Sequence, residues 1–306
     1  MAAIDALRSA LSALGRNPVL FLVGLLYGLI VLPQQALSLT SLSFLSYPLQ
    51  ILTFFVTPFV VAGLLGMASE GLDGETSLST LTRVGRDRYV PLLVGSIVEF
   101  AILLVFGVVA TIVGVVAAVG LLGAGGAGGA GGGAMLAVGA LVVVLVLALL
   151  VLHFFIQFYS VAIVVGEAGA LDGFRESYRL VRDNLVSALG YSVINLVVSI
   201  LTTIPITGFV VWQTFQNLPQ LQDGAGAGAG AGASAVAGGA APMQALGFST
   251  QEVLLVSVIS LATTMLLFTF QRTYATAFYR AHEPRARPEE FAEATDFENE
   301  SEESAL

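Results

Sequence analysis

The chain has 306 residues, of which 56% are hydrophobic and only 11% charged, and its formal net charge is −9. Charged residues make up about a quarter of an average soluble domain, so this composition excludes an ordinary soluble protein and indicates a membrane protein with several spans. The chain has no cysteine, which excludes thiol catalysis, disulfides and cysteine-based metal sites.

Six long apolar runs follow one another along the chain. They lie at residues 18–39, 47–68, 89–122, 134–166, 185–213 and 252–279. A helix needs about 20 apolar residues to cross the hydrocarbon core of a bilayer, so each run predicts one transmembrane helix. The predicted fold class is therefore all-α, a polytopic bundle of six transmembrane helices in a membrane domain that covers residues 1–283.

All twelve basic residues are arginines, and all of them lie in or beside alternate gaps between the apolar runs. They are Arg8, Arg16, Arg83, Arg86, Arg88, Arg175, Arg179, Arg182, Arg272, Arg280, Arg285 and Arg287. Cytoplasmic loops accumulate arginine and lysine, so this asymmetry predicts that both termini face the cytoplasm. We expect a multi-pass protein of the plasma membrane.

A short amphipathic segment precedes each odd-numbered run. These segments follow Asp5, Asp73 and Asp172, and their apolar residues recur three or four positions apart, as on one face of a helix. Aspartate is a favourable N-cap. We therefore expect three capped interfacial helices on the cytoplasmic face, at about residues 3–15, 73–85 and 172–182. The alternative is three polar loops with chance periodicity.

The even-numbered runs also resemble one another. Phe54-Phe55 lines up with Phe154-Phe155, and Phe270 begins a looser match in the sixth run. The chain is therefore predicted to consist of three helical hairpins that all enter from the cytoplasm. Such a parallel repeat is related by an axis along the membrane normal.

The lead-in motifs carry a family resemblance. Gly15-Arg16-Asn17-Pro18, Leu72-Asp73-Gly74 and Leu171-Asp172-Gly173 resemble those of an uncharacterised family of six-helix membrane proteins from haloarchaea. More distantly, they are similar to the membrane domain that precedes some glycerophosphodiester phosphodiesterases. The likeness covers nearly all of residues 1–283 and implies a fold. That enzyme family carries its chemistry on a soluble barrel, which this chain cannot supply, so the activity does not carry over.

The connections and the C-terminus have biased compositions. The two long outer gaps, around residues 123–134 and 224–239, are almost entirely glycine and alanine and are predicted to be flexible linkers. Residues 284–306 form an acidic tail that we expect to be disordered, either solvating the protein or docking a basic partner. Absence of lysine and excess of acid are typical of halophilic proteins.

Polar side chains inside a bilayer are costly, so they are the candidates for function. Glu99 lies about ten residues into the third run, roughly 15 Å deep, and Arg272 lies about seven residues before the end of the sixth, roughly 10 Å deep. We expect these two side chains to meet as an ion pair. The functional hypothesis is a proton- or ion-coupled site; the structural alternative is an ion pair that fixes helix packing.

Three further polar residues belong to this candidate cluster, namely Asn195, Gln157 and His153. In the repeat alignment, Arg272 matches Gln157 and Thr57, while Glu99 matches Asn195. One polar position per helix would thus face a common axis. His153 has only the tail residue His282 as a second histidine, so no metal site is predicted.

No other motif indicates chemistry. No glycine-rich segment is followed by Lys-Ser or Lys-Thr, and the basic residues are too few for nucleic acid. We expect no enzyme activity and no cofactor, with the lipid bilayer and other membrane subunits as partners. The predicted function is a structural or accessory membrane scaffold. The alternative is a permease or lipid-handling transporter with its site around Glu99 and Arg272.

Overall fold

The computed structural model describes residues 2–38, 43–123, 131–223 and 250–282, and all regular structure within these ranges is helical. The acidic tail at 284–306 and the centres of both Gly-Ala connections lie outside the described residues.

Six of the described helices are long and apolar enough to cross a membrane. They are α2 (Val19–Ser38), α3 (Ser46–Asp73), α5 (Tyr89–Gly123), α6 (Gly131–Ile156) with its short continuation α7 (Tyr159–Val164), α9 (Leu185–Asp223) and α10 (Thr250–His282). Three short helices accompany them: α1 (Ala2–Arg16), α4 (Leu78–Asp87) and α8 (Asp172–Asp183). The predicted all-α bundle of six spans is therefore confirmed.

The three short helices form where their periodicity predicts them, but the predicted aspartate caps are wrong. Asp5 lies within the first turn of α1, and Asp172 is the first residue of α8. Asp73 ends α3, which runs further than its apolar stretch, and α4 starts only after Ser77. The Asp73 carboxylate instead pairs with Arg280, with a distance of 2.8 Å between Oδ2 and Nη1.

The packing of the short helices reveals how the three hairpins assemble. Helix α4 packs against α3 and α8 packs against α7, so each short helix lies on the second span of the preceding hairpin. Helix α1 leads into the first hairpin, and it packs against α10, the second span of the third hairpin. The second spans α3, α7 and α10 also contact one another. The contacts thus close into a ring, which agrees with a parallel threefold repeat.

The buried core lies at the end of the bundle that carries the short helices. Most residues of α3 from Pro58 to Gly71 are buried, as are all residues of α7. The far halves of the spans expose apolar side chains, such as Val105, Val144 and Ile200. A soluble protein rarely exposes apolar surface on this scale, whereas a membrane span must present it to lipid.

A buried asparagine joins the start of the first hairpin to its end. Asn17, between α1 and α2, is only 3% exposed. Its Nδ2 donates to the carbonyls of Gly71 and Gly74 at 3.3 and 2.9 Å, and its Oδ1 accepts from the backbone N–H of Thr76 at 3.0 Å. These carbonyls and this N–H lie at the end of α3 and in the turn that follows it, so the Asn17 side chain replaces bonds that a helix terminus leaves unmade.

Candidate functional site

A cavity of about 630 Å³ lies among the spans, with lining residues from α2, α3, α5, α6, α7, α9 and α10. All five residues of the predicted polar cluster line it: Glu99, Arg272, Asn195, Gln157 and His153. Thr57, which the repeat alignment matched to Arg272, lines it as well. The structure therefore brings the predicted residues together in one place.

The two charged residues and Asn195 lie at the same depth. Glu99 and Asn195 are each ten residues from the start of their helices, and Arg272 is ten residues before the end of α10. At the helical rise, each is about 15 Å from the end of the bundle that carries the short helices. Arg272 lies deeper than its sequence predicted because α10 continues to His282.

The predicted ion pair between Glu99 and Arg272 is wrong, because no ion pair within the described chain includes either residue. The Glu99 Oε2 accepts a hydrogen bond of 2.6 Å from the Tyr159 hydroxyl. The Arg272 Nη1 donates to the Ser160 Oγ at 3.3 Å, and the guanidinium carbon lies 5.7 Å from the centre of the Phe268 ring. Two consecutive residues of α7 thus hold the two charges separately.

The amide side chains of the cluster differ in how well they are satisfied. The Gln157 Nε2 donates to the Phe154 carbonyl at 2.9 Å, and its Oε1 accepts from the Ser192 hydroxyl at 3.2 Å. The Asn195 Oδ1 is buried without a hydrogen-bond partner among the described residues, as is the Gln34 Oε1 on the cavity wall formed by α2. The cavity therefore contains polar atoms that a bound group or water could satisfy.

Sequence analysis missed the break between α6 and α7, which positions Tyr159 and Ser160. Neither proline nor glycine stands at the break, so nothing in the local sequence indicates it. Ser177 of α8 is fully buried there; its Oγ donates to the Phe155 carbonyl at 2.8 Å and accepts from the Phe158 N–H at 3.1 Å. A side chain inserted into the backbone ladder is a recognised cause of a helix kink.

The two sides of the cavity differ. Toward the short helices it is bounded by a cluster of aromatic rings, in which Tyr191 lies 4.6 Å from Tyr274 and 4.8 Å from Phe158 between ring centres. On the α5 wall, Phe100 and Leu103 line the cavity and are also 55% and 47% exposed on the surface. The cavity is therefore bounded by packed aromatic rings toward the short helices and by partly exposed apolar side chains on the α5 wall.

His153 also lines the cavity as an exposed residue of α6. In the part of the chain that the structure describes, no three histidine, aspartate or glutamate side chains are arranged so as to hold a metal ion. Glu99, Arg272 and their neutral neighbours can act at this site by hydrogen bonding and charge recognition.

Comparison with known proteins adds a family but no activity. No curated protein and no solved structure gives a significant match to this chain. Residues 1–282 match a family described as a domain of unknown function, DUF7847, and this match extends over the short helices, the six spans and every residue of the cavity. The chain is therefore a six-span helical member of the DUF7847 family.

Proposed function

We propose that this protein is a lipid-handling transporter whose ligand enters the polar cavity around Glu99 and Arg272. The observation that carries the proposal is the cavity itself: it holds two opposite charges that do not pair within the described chain, and the exposed apolar side chains of Phe100 and Leu103 line its α5 wall. Its volume of about 630 Å³ lies within the usual range for small-molecule sites.

A purely structural cluster would be arranged differently. Interhelical polar groups that only fix packing satisfy one another, and an unsatisfied buried group costs about 1–3 kcal/mol. The Asn195 Oδ1 and the Gln34 Oε1 are unsatisfied among the described residues. A ligand headgroup or water in the cavity would supply their missing partners, which supports handling of a ligand over scaffolding alone.

The broken span supports the same proposal. Discontinuous helices in transporters are typically found at the substrate site, where irregular backbone lines a polar cavity. Here the break between α6 and α7 lies directly beside Gln157, Tyr159 and Ser160, all of which line the cavity. The second candidate is an accessory scaffold that binds other membrane subunits, which is supported by the packing of the short helices on the ring of second spans α3, α7 and α10.

We also propose the cellular setting. The arginine-rich end would face the cytoplasm of the cell that makes the protein, with the spans in its plasma membrane. The lysine-free composition supports a halophilic source and the haloarchaeal likeness of the lead-in motifs. In this proposal the protein is not an enzyme and takes no cofactor, since the cavity offers binding groups and charges.

Reporter fusions test the orientation. A reporter joined at Gly74 or Gly173 is expected to be active on the cytoplasmic side, because both sites lie beside the arginine-rich short helices. Reporters joined after Gly128 or Gly230, in the Gly-Ala connections, are expected on the opposite side. An inverted result at either Gly-Ala connection would contradict the proposed topology.

Blocking the cavity is expected to stop lipid movement. Ser96 lines the cavity one turn before Glu99, and Ser96→Phe would fill the space beside the carboxylate. The purified full chain would be reconstituted in liposomes with a trace of phospholipid fluorescently labelled on its headgroup. Dithionite added outside then bleaches only the outer leaflet unless the protein exchanges lipid between leaflets. With the parent protein we expect dithionite to bleach the labelled lipid of both leaflets. With Ser96→Phe we expect it to bleach only the labelled lipid of the outer leaflet.

Thr111→Phe is the matched control on the same helix. The hydroxyls of Ser96 and Thr111 both bond the carbonyl four residues earlier, but Thr111 is exposed away from the cavity. We expect this variant to exchange lipid as the parent does. If the parent itself leaves the inner leaflet protected, lipid transport is the wrong function; if Ser96→Phe exchanges lipid as fast as the parent, the cavity is not the route.

A further inference from the structure

We propose that Arg272 is the recognition residue of the cavity and binds a phosphate group of the ligand. This inference rests on the proposed lipid-handling site and names the chemical class that it accepts. Planar guanidinium groups match phosphate oxygens with two parallel hydrogen bonds, which is why arginine recurs wherever phosphate is recognised.

The guanidinium of Arg272 has few partners among the described residues. Its guanidinium has five N–H donors, and the structure gives it one side-chain hydrogen bond, to the neutral Ser160 hydroxyl. None of the ion pairs in the described ranges includes it. An arginine is costly to place at this depth in a membrane, so an anion that enters the cavity gains from pairing with it.

Among the described residues that line the cavity, Glu99 carries the other charge. The Glu99 carboxylate is already bound by the Tyr159 hydroxyl at 2.6 Å and makes no ion pair with Arg272. Glu99 therefore leaves the arginine donors available to a ligand. Its negative charge in the same cavity would nevertheless repel an anion, which predicts opposite effects for the two residues.

The other residues of the cavity also support binding of a phosphate-bearing ligand. Asn195 lies at the same depth as Arg272, and its amide has a buried oxygen without a partner among the described residues. The nitrogen and oxygen of an amide can exchange places by rotation, so the Asn195 side chain can turn an N–H donor toward a bound phosphate. An apolar wall at Phe100 and Leu103 would accommodate the chains of an amphiphile that carries this phosphate.

Equilibrium binding to the purified full chain in detergent tests this inference by calorimetry. The probes are short-chain phosphatidic acid, the same diacylglycerol without its phosphate, and inorganic phosphate. We expect phosphatidic acid to bind and diacylglycerol to bind at least tenfold more weakly, since hydrogen bonds to charged groups are worth about 1.5–3 kcal/mol. Inorganic phosphate binding as tightly as phosphatidic acid would support the arginine site and identify free phosphate as its source.

Three variants make the test specific. Arg272→Gln is expected to weaken phosphatidic acid by about tenfold or more, whereas Glu99→Gln is expected to strengthen it, because the like charge is removed. Arg179→Gln removes the same charge from an exposed position on α8 and is expected to leave binding unchanged. If Arg272 and Glu99 had a merely structural role, their substitutions would not change the affinity for phosphatidic acid in opposite directions.

Arg272→Lys provides a second test if the glutamine variant does not fold. Lysine keeps the charge but loses the planar fork, so we expect weaker binding than in the parent. The inference is overturned if diacylglycerol binds as tightly as phosphatidic acid, or if every foldable Arg272 variant binds like the parent. Phosphate binding that depends on Arg272 in a protein that exchanges no lipid would leave this inference standing and remove the transport function instead.

Discussion

Asn17→Ala is expected to lower the free energy of unfolding by about 3 kcal/mol, because it removes a hydrogen-bond partner from one buried and two part-buried backbone groups. The substitution removes the acceptor of the Thr76 N–H and the donor to the carbonyls of Gly71 and Gly74. Asn17 is almost fully buried, so water cannot replace these bonds at low cost. Unfolding of the purified protein in mixed micelles, titrated with SDS and followed by circular dichroism, measures the loss.

Asn184→Ala is the matched control for this prediction. Asn184 occupies the corresponding place in the third repeat, immediately before α9, but among the described residues its side chain bonds the Leu180 carbonyl alone, within its own segment. A single local bond is worth about 1 kcal/mol. Equal losses for the two variants would mean that the contact between α1–α2 and the end of α3 does not stabilise the bundle.

Gly24→Val is expected to destabilise the bundle by a similar amount, about 3 kcal/mol or more, because it forces α2 away from α10. A Cβ at Gly24 would lie 2.7 Å from the Met265 carbonyl oxygen and against the Thr269 hydroxyl. Backbone atoms cannot move aside as a flexible side chain can. One turn later, a Cβ at Gly28 would lie 2.6 Å from the Leu261 Cδ1, so the two glycines form one close helix contact.

Gly107→Val tests whether valine itself harms a span of this protein. A Cβ at Gly107 on α5 meets nothing within 4 Å, so its side chain would face open surface. We expect a change of no more than about 0.5 kcal/mol in the same SDS titration. If Gly24→Val proved as harmless as Gly107→Val, α2 and α10 would not be in the close contact that the structure gives them.

The fold was largely predictable because its strongest determinants are local. Apolar length gives the spans, and the spacing of Leu, Val and aromatic residues gives α4 and α8. The repeat frame also brought Thr57, Gln157 and Arg272 to one cavity, since equivalent positions in a parallel repeat face the same axis. Asn17 belongs to the Gly15-Arg16-Asn17-Pro18 motif. Its hydrogen-bonding role could not be predicted from that motif, because it depends on where α3 ends.

What remained unpredictable depends on contacts between segments distant in sequence. The break after Ile156 exists because Ser177 of another helix bonds the interrupted backbone. The expected pairing of Glu99 with Arg272 failed for the same reason, since the break presents Tyr159 and Ser160 to the two charges. The two glycines of α2, four residues apart, could have indicated a close helix contact, but the sequence did not identify α10 as the partner.

The contact between α1 and α10 has a consequence for biosynthesis. Helix α1 buries Ala3, Ala6 and Ala10 against later parts of the chain, and the Tyr274 hydroxyl bonds the Ala3 carbonyl across 271 positions of sequence. At ribosomal rates of about 5–20 residues per second, α1 is made on the order of ten seconds to a minute before α10 emerges. Helix α1 therefore waits with its packing face uncovered until α10, the last span of the domain, completes the contact.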